Sequence, residues 1–134
     1  NGSLPINFGE IAELVGSQLD APPYPDNQLV LQLVWRAVGQ SEIPLKFFVH
    51  LRSSDSDSQA PAAQDDQFIQ EGRTDTSAWA IGSLFRDAYS IPLEGVSPGE
   101  YALYVGIYDP VTGERLLVND SASDSVLIGT VTIQ

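Results

Sequence analysis

The chain has 134 residues, of which 43% are hydrophobic, and its 18 acidic and 6 basic side chains give a formal net charge of −12. That length suits one domain with a core of ordinary size, and a field of that sign repels phosphate backbones and anionic lipid, so nucleic acid and membrane surfaces are not expected partners. The absence of cysteine excludes disulfides, thiol nucleophiles and thiolate metal sites.

Methionine is also absent, so the chain is expected to be an excised or processed piece of a longer protein. The longest apolar-rich run, Leu29 to Val38, is interrupted by Gln32 and Arg36 and is too short to span a membrane.

Residues 1–7 are expected to be a tag remnant or disordered lead-in, Asn1-Gly2-Ser3 the tag itself, with one domain over 8–134. A weak strand is expected within Ile11–Leu19. The prolines of Ala21–Asn27 then prevent a central ladder, because proline donates no amide hydrogen. Leu29, Leu31, Leu33, Trp35 and Ala37 recur at every second position, the period of a strand with one buried face. Phe47, Val49 and Leu51 repeat the pattern, and Ser53 to Pro61 reads as a polar loop. Weaker strands are expected in Ala62–Ile69 and Phe85–Leu93, separated by a short helical turn near Thr76–Trp79. Ser97-Pro98-Gly99-Glu100 is turn chemistry. Tyr101, Leu103, Val105 and Ile107 form another inward face, and Leu127, Gly129, Val131 and Ile133 a last one. Seven or eight short strands at this spacing predict an all-β, two-sheet antiparallel sandwich, immunoglobulin-like or jelly-roll-like, with Trp35 in its core.

Between the last two strong strands, Asp109-Pro110-Val111-Thr112-Gly113-Glu114 has the chemistry of a hairpin connection. Asp109 can accept an amide two residues on, Pro110 presets its own φ, and Gly113 tolerates a positive one.

Catalytic chemistry finds little support. His50 is the one histidine, and no Gly-x-Ser-x-Gly elbow presents a serine. Carboxylates are plentiful, but a glycosidase requires two of them facing one bond. No cofactor is expected. Asp55-Ser56-Asp57-Ser58 resembles the start of a calcium loop, yet Ala60 and Asp66 stand where glycine and a bidentate glutamate belong. No metal is expected; Asp65, Asp66 and Asp109 are the carboxylates suited to a shallow calcium site.

The more informative residues are those that alternation turns outward. Tyr104 and Tyr108 should share a face with Phe48 and His50, and with Arg36 from the strand before. Left exposed, such an aromatic patch with an arginine would stack on sugar rings or dock another domain; the alternative is that a loop or helix covers this face and makes Phe48 and Tyr104 ordinary packing residues.

Four segments, Leu31–Ala37 (LQLVWRA), Phe47–Leu51 (FFVHL), Thr76–Leu93 (TSAWAIGSLFRDAYSIPL) and Pro98–Leu116 (PGEYALYVGIYDPVTGERL), carry a family resemblance. Their order and spacing, from about Phe8 onward, resemble the extracytoplasmic C-terminal β-sandwich domain of bacterial integral-membrane glycosyltransferases of the protein-mannosyltransferase-like type. Two positions depart from that pattern: Val34 where an aromatic is expected, and Ser83 where an acidic residue is usual. The resemblance implies a non-catalytic accessory or binding domain outside the cytoplasm, attached to a membrane enzyme and contacting it or a glycan. A purely structural spacer or protein-interaction module is the alternative, and a small hydrolase a third reading.

Overall fold

The computed structural model describes residues 4–54, 61–119 and 121–134. Eight strands form: β1 (Ile6–Phe8), β2 (Ala12–Leu19), β3 (Gln28–Ala37), β4 (Lys46–Ser53), β5 (Ala63–Phe68), β6 (Leu84–Pro92), β7 (Gly99–Tyr108) and β8 (Val126–Ile133). They pair antiparallel in two sheets, β1-β2-β3-β6 and β5-β4-β7-β8, as the alternation requires. β2/β3 and β4/β7 are the central pairs of the two sheets, and β6 and β5 are edge strands, the arrangement of a two-sheet antiparallel sandwich. No helix among the described residues is long and apolar enough to cross a membrane.

The first strand begins inside the expected lead-in. Ile6 is buried and pairs with Leu14, so the fold starts two residues before Phe8. An apolar residue at that position gains more by covering the core than it loses by being ordered.

Trp35 sits where its alternation places it, fully enclosed between the sheets. Its ring meets Phe8 edge-on at 5.3 Å and Phe47 of the opposite sheet at 4.8 Å. Phe47 passes the contact to Trp79, which stacks on Phe85 at 5.6 Å. The Trp35 indole donates to the Tyr89 hydroxyl (3.3 Å), which gives that buried N–H its partner. Trp79 stands at the end of a tight turn whose amide donates back to the Asp75 carbonyl (2.8 Å), and no helix develops there. Buried Thr76 takes the Leu45 amide on its hydroxyl and so pins the turn to the β3–β4 crossing. At the start of β7, the Tyr101 hydroxyl donates to the Ser97 carbonyl (2.7 Å), which ties the turn before that strand to it.

The last strand departs from strict alternation. Leu103 pairs with Gly129 but Tyr104 with Leu127, leaving Ile128 as the extra residue of a bulge. The bulge exchanges faces: Val126 and Ile128 pack on the core, and Leu127, expected inward, turns outward beside Tyr104.

Both sides of the sandwich are closed. On one side, β5 presents side chains to the open backbone of β6. The Asp65 carboxylate accepts the Ser90 amide (2.9 Å), while the Gln67 and Gln70 amides donate to the carbonyls of Ala88 (3.0 Å) and Arg86 (3.1 Å). These side chains occupy groups that would otherwise template another strand. On the other side, the chain after β7 crosses to β1, where Val118 bridges Phe8 and the Asn119 amide donates to the Asn7 carbonyl (2.8 Å).

Candidate functional site

Four of the five outward residues named above do share one face. Phe48 and His50 lie on β4, Tyr104 and Tyr108 on β7, with His50 opposite Tyr104 and Phe48 opposite Gly106. Arg36 does not join them. Its strand pairs with β2 and β6, so it lies on the outer face of the other sheet, where it donates to Glu13 (3.0 Å). The expected neighbour relation between β3 and β4 fails because their connection crosses between sheets instead of forming a hairpin.

The shared face is not an open aromatic patch, because residues 109–119 and 121–125 of the connection after β7 lie over it. That connection starts with the turn its sequence encodes. Asp109 accepts the amides of Val111 (2.7 Å) and Thr112 (3.1 Å), and Gly113 takes φ of 82°. Arg115 then lays its guanidinium over the Phe48 ring at 4.5 Å and reaches the Asp124 carboxylate at 3.4 Å. Beneath the same ring lies Gly106, where an added Cβ would stand 2.2 Å from Phe48 and 3.0 Å from the Asp124 carbonyl. Phe48 is therefore only 1% exposed, a core residue on the outside of a sheet. Alternation assigns a side chain to a face; it does not say whether another segment covers that face.

What stays open on this face is divided in two by the Arg115–Asp124 pair. The smaller cleft, about 290 Å³, is lined by His50, Gln64, Asp66, Tyr108 and Arg115 around the Phe48 ring. Asp66 is its centre. Its Oδ1 accepts from the Gln64 amide (3.0 Å) and stands 3.7 Å from His50 Nε2. Burial raises the Asp66 carboxyl, but hydrogen bonds from His50, Tyr108 and Gln64, with the charge of His50, outweigh it and leave the group below the ordinary carboxylate range. The Tyr108 hydroxyl is pushed up to about 12, by burial first and then by Asp66. The cleft thus holds a charged carboxylate, bonded by the Gln64 amide and faced by the Tyr108 hydroxyl and the His50 ring. The His50 ring lies against Phe48 with centroids 4.4 Å apart, and its Nδ1 is buried with no hydrogen-bond partner among the described residues.

The larger cleft, about 660 Å³, lies beyond the divide. Its floor is the Tyr104 ring with the Arg52 guanidinium 4.4 Å above it, and Ser123, Ser125 and Thr130 supply hydroxyls at its edges. Burial and then the nearby Arg115 push the Arg52 guanidinium below its ordinary value.

The carboxylates named as calcium candidates do not converge. Asp66 serves the small cleft, Asp109 closes its own turn, and Asp65 caps the Ser90 amide on the far side of β5. Burial raises the Asp65 carboxyl more than that amide lowers it. Among the described residues no group of three or more histidine, aspartate or glutamate side chains is arranged to hold a metal. The Asp55–Ser58 segment lies outside the described residues.

Reading the sequence alone missed Gln64, Asp66 in its present role, and Arg115. Gln64 and Asp66 are alternate residues of β5, so their common face was readable; which strand β5 would border was not. Compared with known proteins, the chain matches no family model, and no curated protein aligns with it.

Proposed function

We propose that this chain is a non-catalytic recognition domain that binds a glycan in the cleft between β5 and the β7–β8 connection. The observation that carries the reading is the Asp66 carboxylate, kept charged and ringed by Gln64, Tyr108 and His50 at the mouth of a pre-formed cleft. A carboxylate beside a side-chain amide and a phenol hydroxyl suits the adjacent hydroxyls of a sugar, each a donor and an acceptor at once. Half-buried Tyr108 offers a ring edge to the same space. Asp66 is also the one carboxylate lining this cleft, whereas glycoside hydrolysis requires two across the scissile bond. The resemblance of the four sequence segments supplies the setting: a domain outside the cytoplasm, carried by a larger membrane-anchored glycosyltransferase-like protein.

A second reading, a spacer or protein-interaction module, is favoured by the burial of Phe48 under the connection, which removes most of the expected aromatic platform. Titration of the protein with a panel of neutral and acidic oligosaccharides, followed by backbone amide shifts, separates the two. The glycan reading expects saturable shifts confined to β5, the ends of β4 and β7, and residues 113–115, abolished by Asp66→Asn. An unchanged spectrum at millimolar sugar would leave the spacer reading in its place.

A further inference from the structure

A separate groove opens at the end of the sandwich where β1 turns into β2, beside the crossing from β3 to β4. Its volume is about 520 Å³. The floor is aliphatic: Leu45 is buried, Ile11, Ile43 and Leu116 are half-buried, and Leu117 is 49% exposed. Around it stand Glu10, Glu42, Asp109 and Glu114. None of the four is ion-paired among the described residues. The one cation on the lining, Arg115, is committed to the Phe48 ring and to Asp124.

The walls are held in place by the backbone. Gly9 and Glu10 both take positive φ (60° and 62°) at the centre of a tight turn between β1 and β2, closed by the Ile11 amide on the Phe8 carbonyl (3.0 Å). Asn7 Oδ1 accepts the Glu10 amide (2.9 Å), which sets the glutamate at the rim. The facing wall is stitched to this turn, since the amides of Val38 and Gly39 both donate to the Ile11 carbonyl. Gly39 permits that approach: a Cβ there would lie 2.2 Å from the Glu10 carbonyl oxygen. The Trp79 indole donates to the Gly39 carbonyl (2.7 Å) and ties the wall to the core. A groove that needs no ordering on binding retains more of its contact energy as affinity.

We propose that this groove docks a basic peptide segment, one in which aliphatic side chains alternate with lysine or arginine. The aliphatic residues would cover Leu45, Ile43 and Leu117, and the cations would meet the Glu10, Glu42 and Glu114 carboxylates of the rim. An acidic ligand is repelled here, and so is a second copy of the chain, whose net charge is also −12.

The test uses three capped peptides, Lys-Leu-Lys-Leu-Lys, Lys-Gly-Lys-Gly-Lys and Glu-Leu-Glu-Leu-Glu, titrated into the labelled protein. The expected result is a saturable shift of amides at residues 9–11, 42–45 and 114–117 with the first peptide alone. Glu42→Lys with Glu114→Lys should weaken its binding about tenfold, two rim charges being reversed at once. Leu117→Ser, a change at an exposed position that spares the fold, should weaken it about threefold. Equal shifts with the lysine–glycine peptide would reduce the effect to the protein's overall field and overturn the proposal. So would shifts with the acidic peptide, no shifts at all, or concentration-dependent changes without peptide, the mark of a second copy in the groove.

Discussion

The two outer faces of the sandwich are built from strands of the same kind and have opposite fates. On β1-β2-β3-β6 outward side chains pair along the sheet surface: Arg36 with Glu13, and Arg86, which donates to Gln32 (3.3 Å). On β5-β4-β7-β8 the outward side chains have become a second, shallow core, with Phe48, His50 and Arg52 all buried. The difference is the connection after β7, residues 109–119 and 121–125, which on one face replaces solvent. Polar groups caught beneath it must be paired or stacked, which is why the cations there lie on rings and the clefts are lined with donors and acceptors. A covered face is where a sandwich of this kind acquires sites.

The core shared by both sheets sets the scale against which the faces are compared. Trp35→Ala removes the indole that links Phe8 to Phe47 and should cost about 3–5 kcal/mol in urea denaturation, enough to leave a domain of this size barely folded. Phe48→Ala breaks the comparison most sharply. Although the residue faces outward, it should cost about 3 kcal/mol, whereas Val34→Ala on the opposite outer face should cost about 1 kcal/mol or less. Similar small losses for the two would mean that the connection does not cover the second sheet.

A pair of glycines sharpens the same contrast. Gly106→Ala drives a methyl group into Phe48 and should destabilise by about 1–3 kcal/mol. Gly16→Ala meets Val34 at an ordinary 3.5 Å and should be neutral or stabilise by about 0.5 kcal/mol. The smallest effect concerns acid. Because the folded Asp66 carboxyl lies below the ordinary value of about 3.9, its contribution to stability is present above that pH and is lost as pH falls through the folded value. Asp65 and Asp87 are raised by burial and run the other way, their contribution fading as pH rises. Asp66→Asn should therefore flatten the fall in urea midpoint below about pH 4 and leave a shallower acid limb than wild type.

Much of the fold was readable because it rests on local rules. The period of two from Leu29 to Ala37 and from Tyr101 to Ile107 identified inward faces, and Asp109, Thr112 and Gly113 encoded their turn without help from distant residues. What escaped depended on non-local choices. Nothing in β3 or β4 says that their connection crosses between sheets, so Arg36 was placed on the wrong face. The bulge at Ile128 is invisible to strict alternation, since Val126 and Leu127 are equally apolar. Trp79 was read only as the end of a turn, although its burial against Phe47 and Phe85 makes it part of the core. The small cleft escaped for a related reason: β5, β4, β7 and the connection each supply part of it, and no one segment shows the set.

One nucleus reports on that cleft directly. His50 is the only histidine, so its ring Cε1–H gives a single resolved resonance from the wall of the site. During titration with the oligosaccharide panel, the recognition reading predicts that this resonance moves saturably with at least one sugar, and that Asp66→Asn removes the movement. A His50 signal that holds still across the whole panel, with the fold intact, would contradict it.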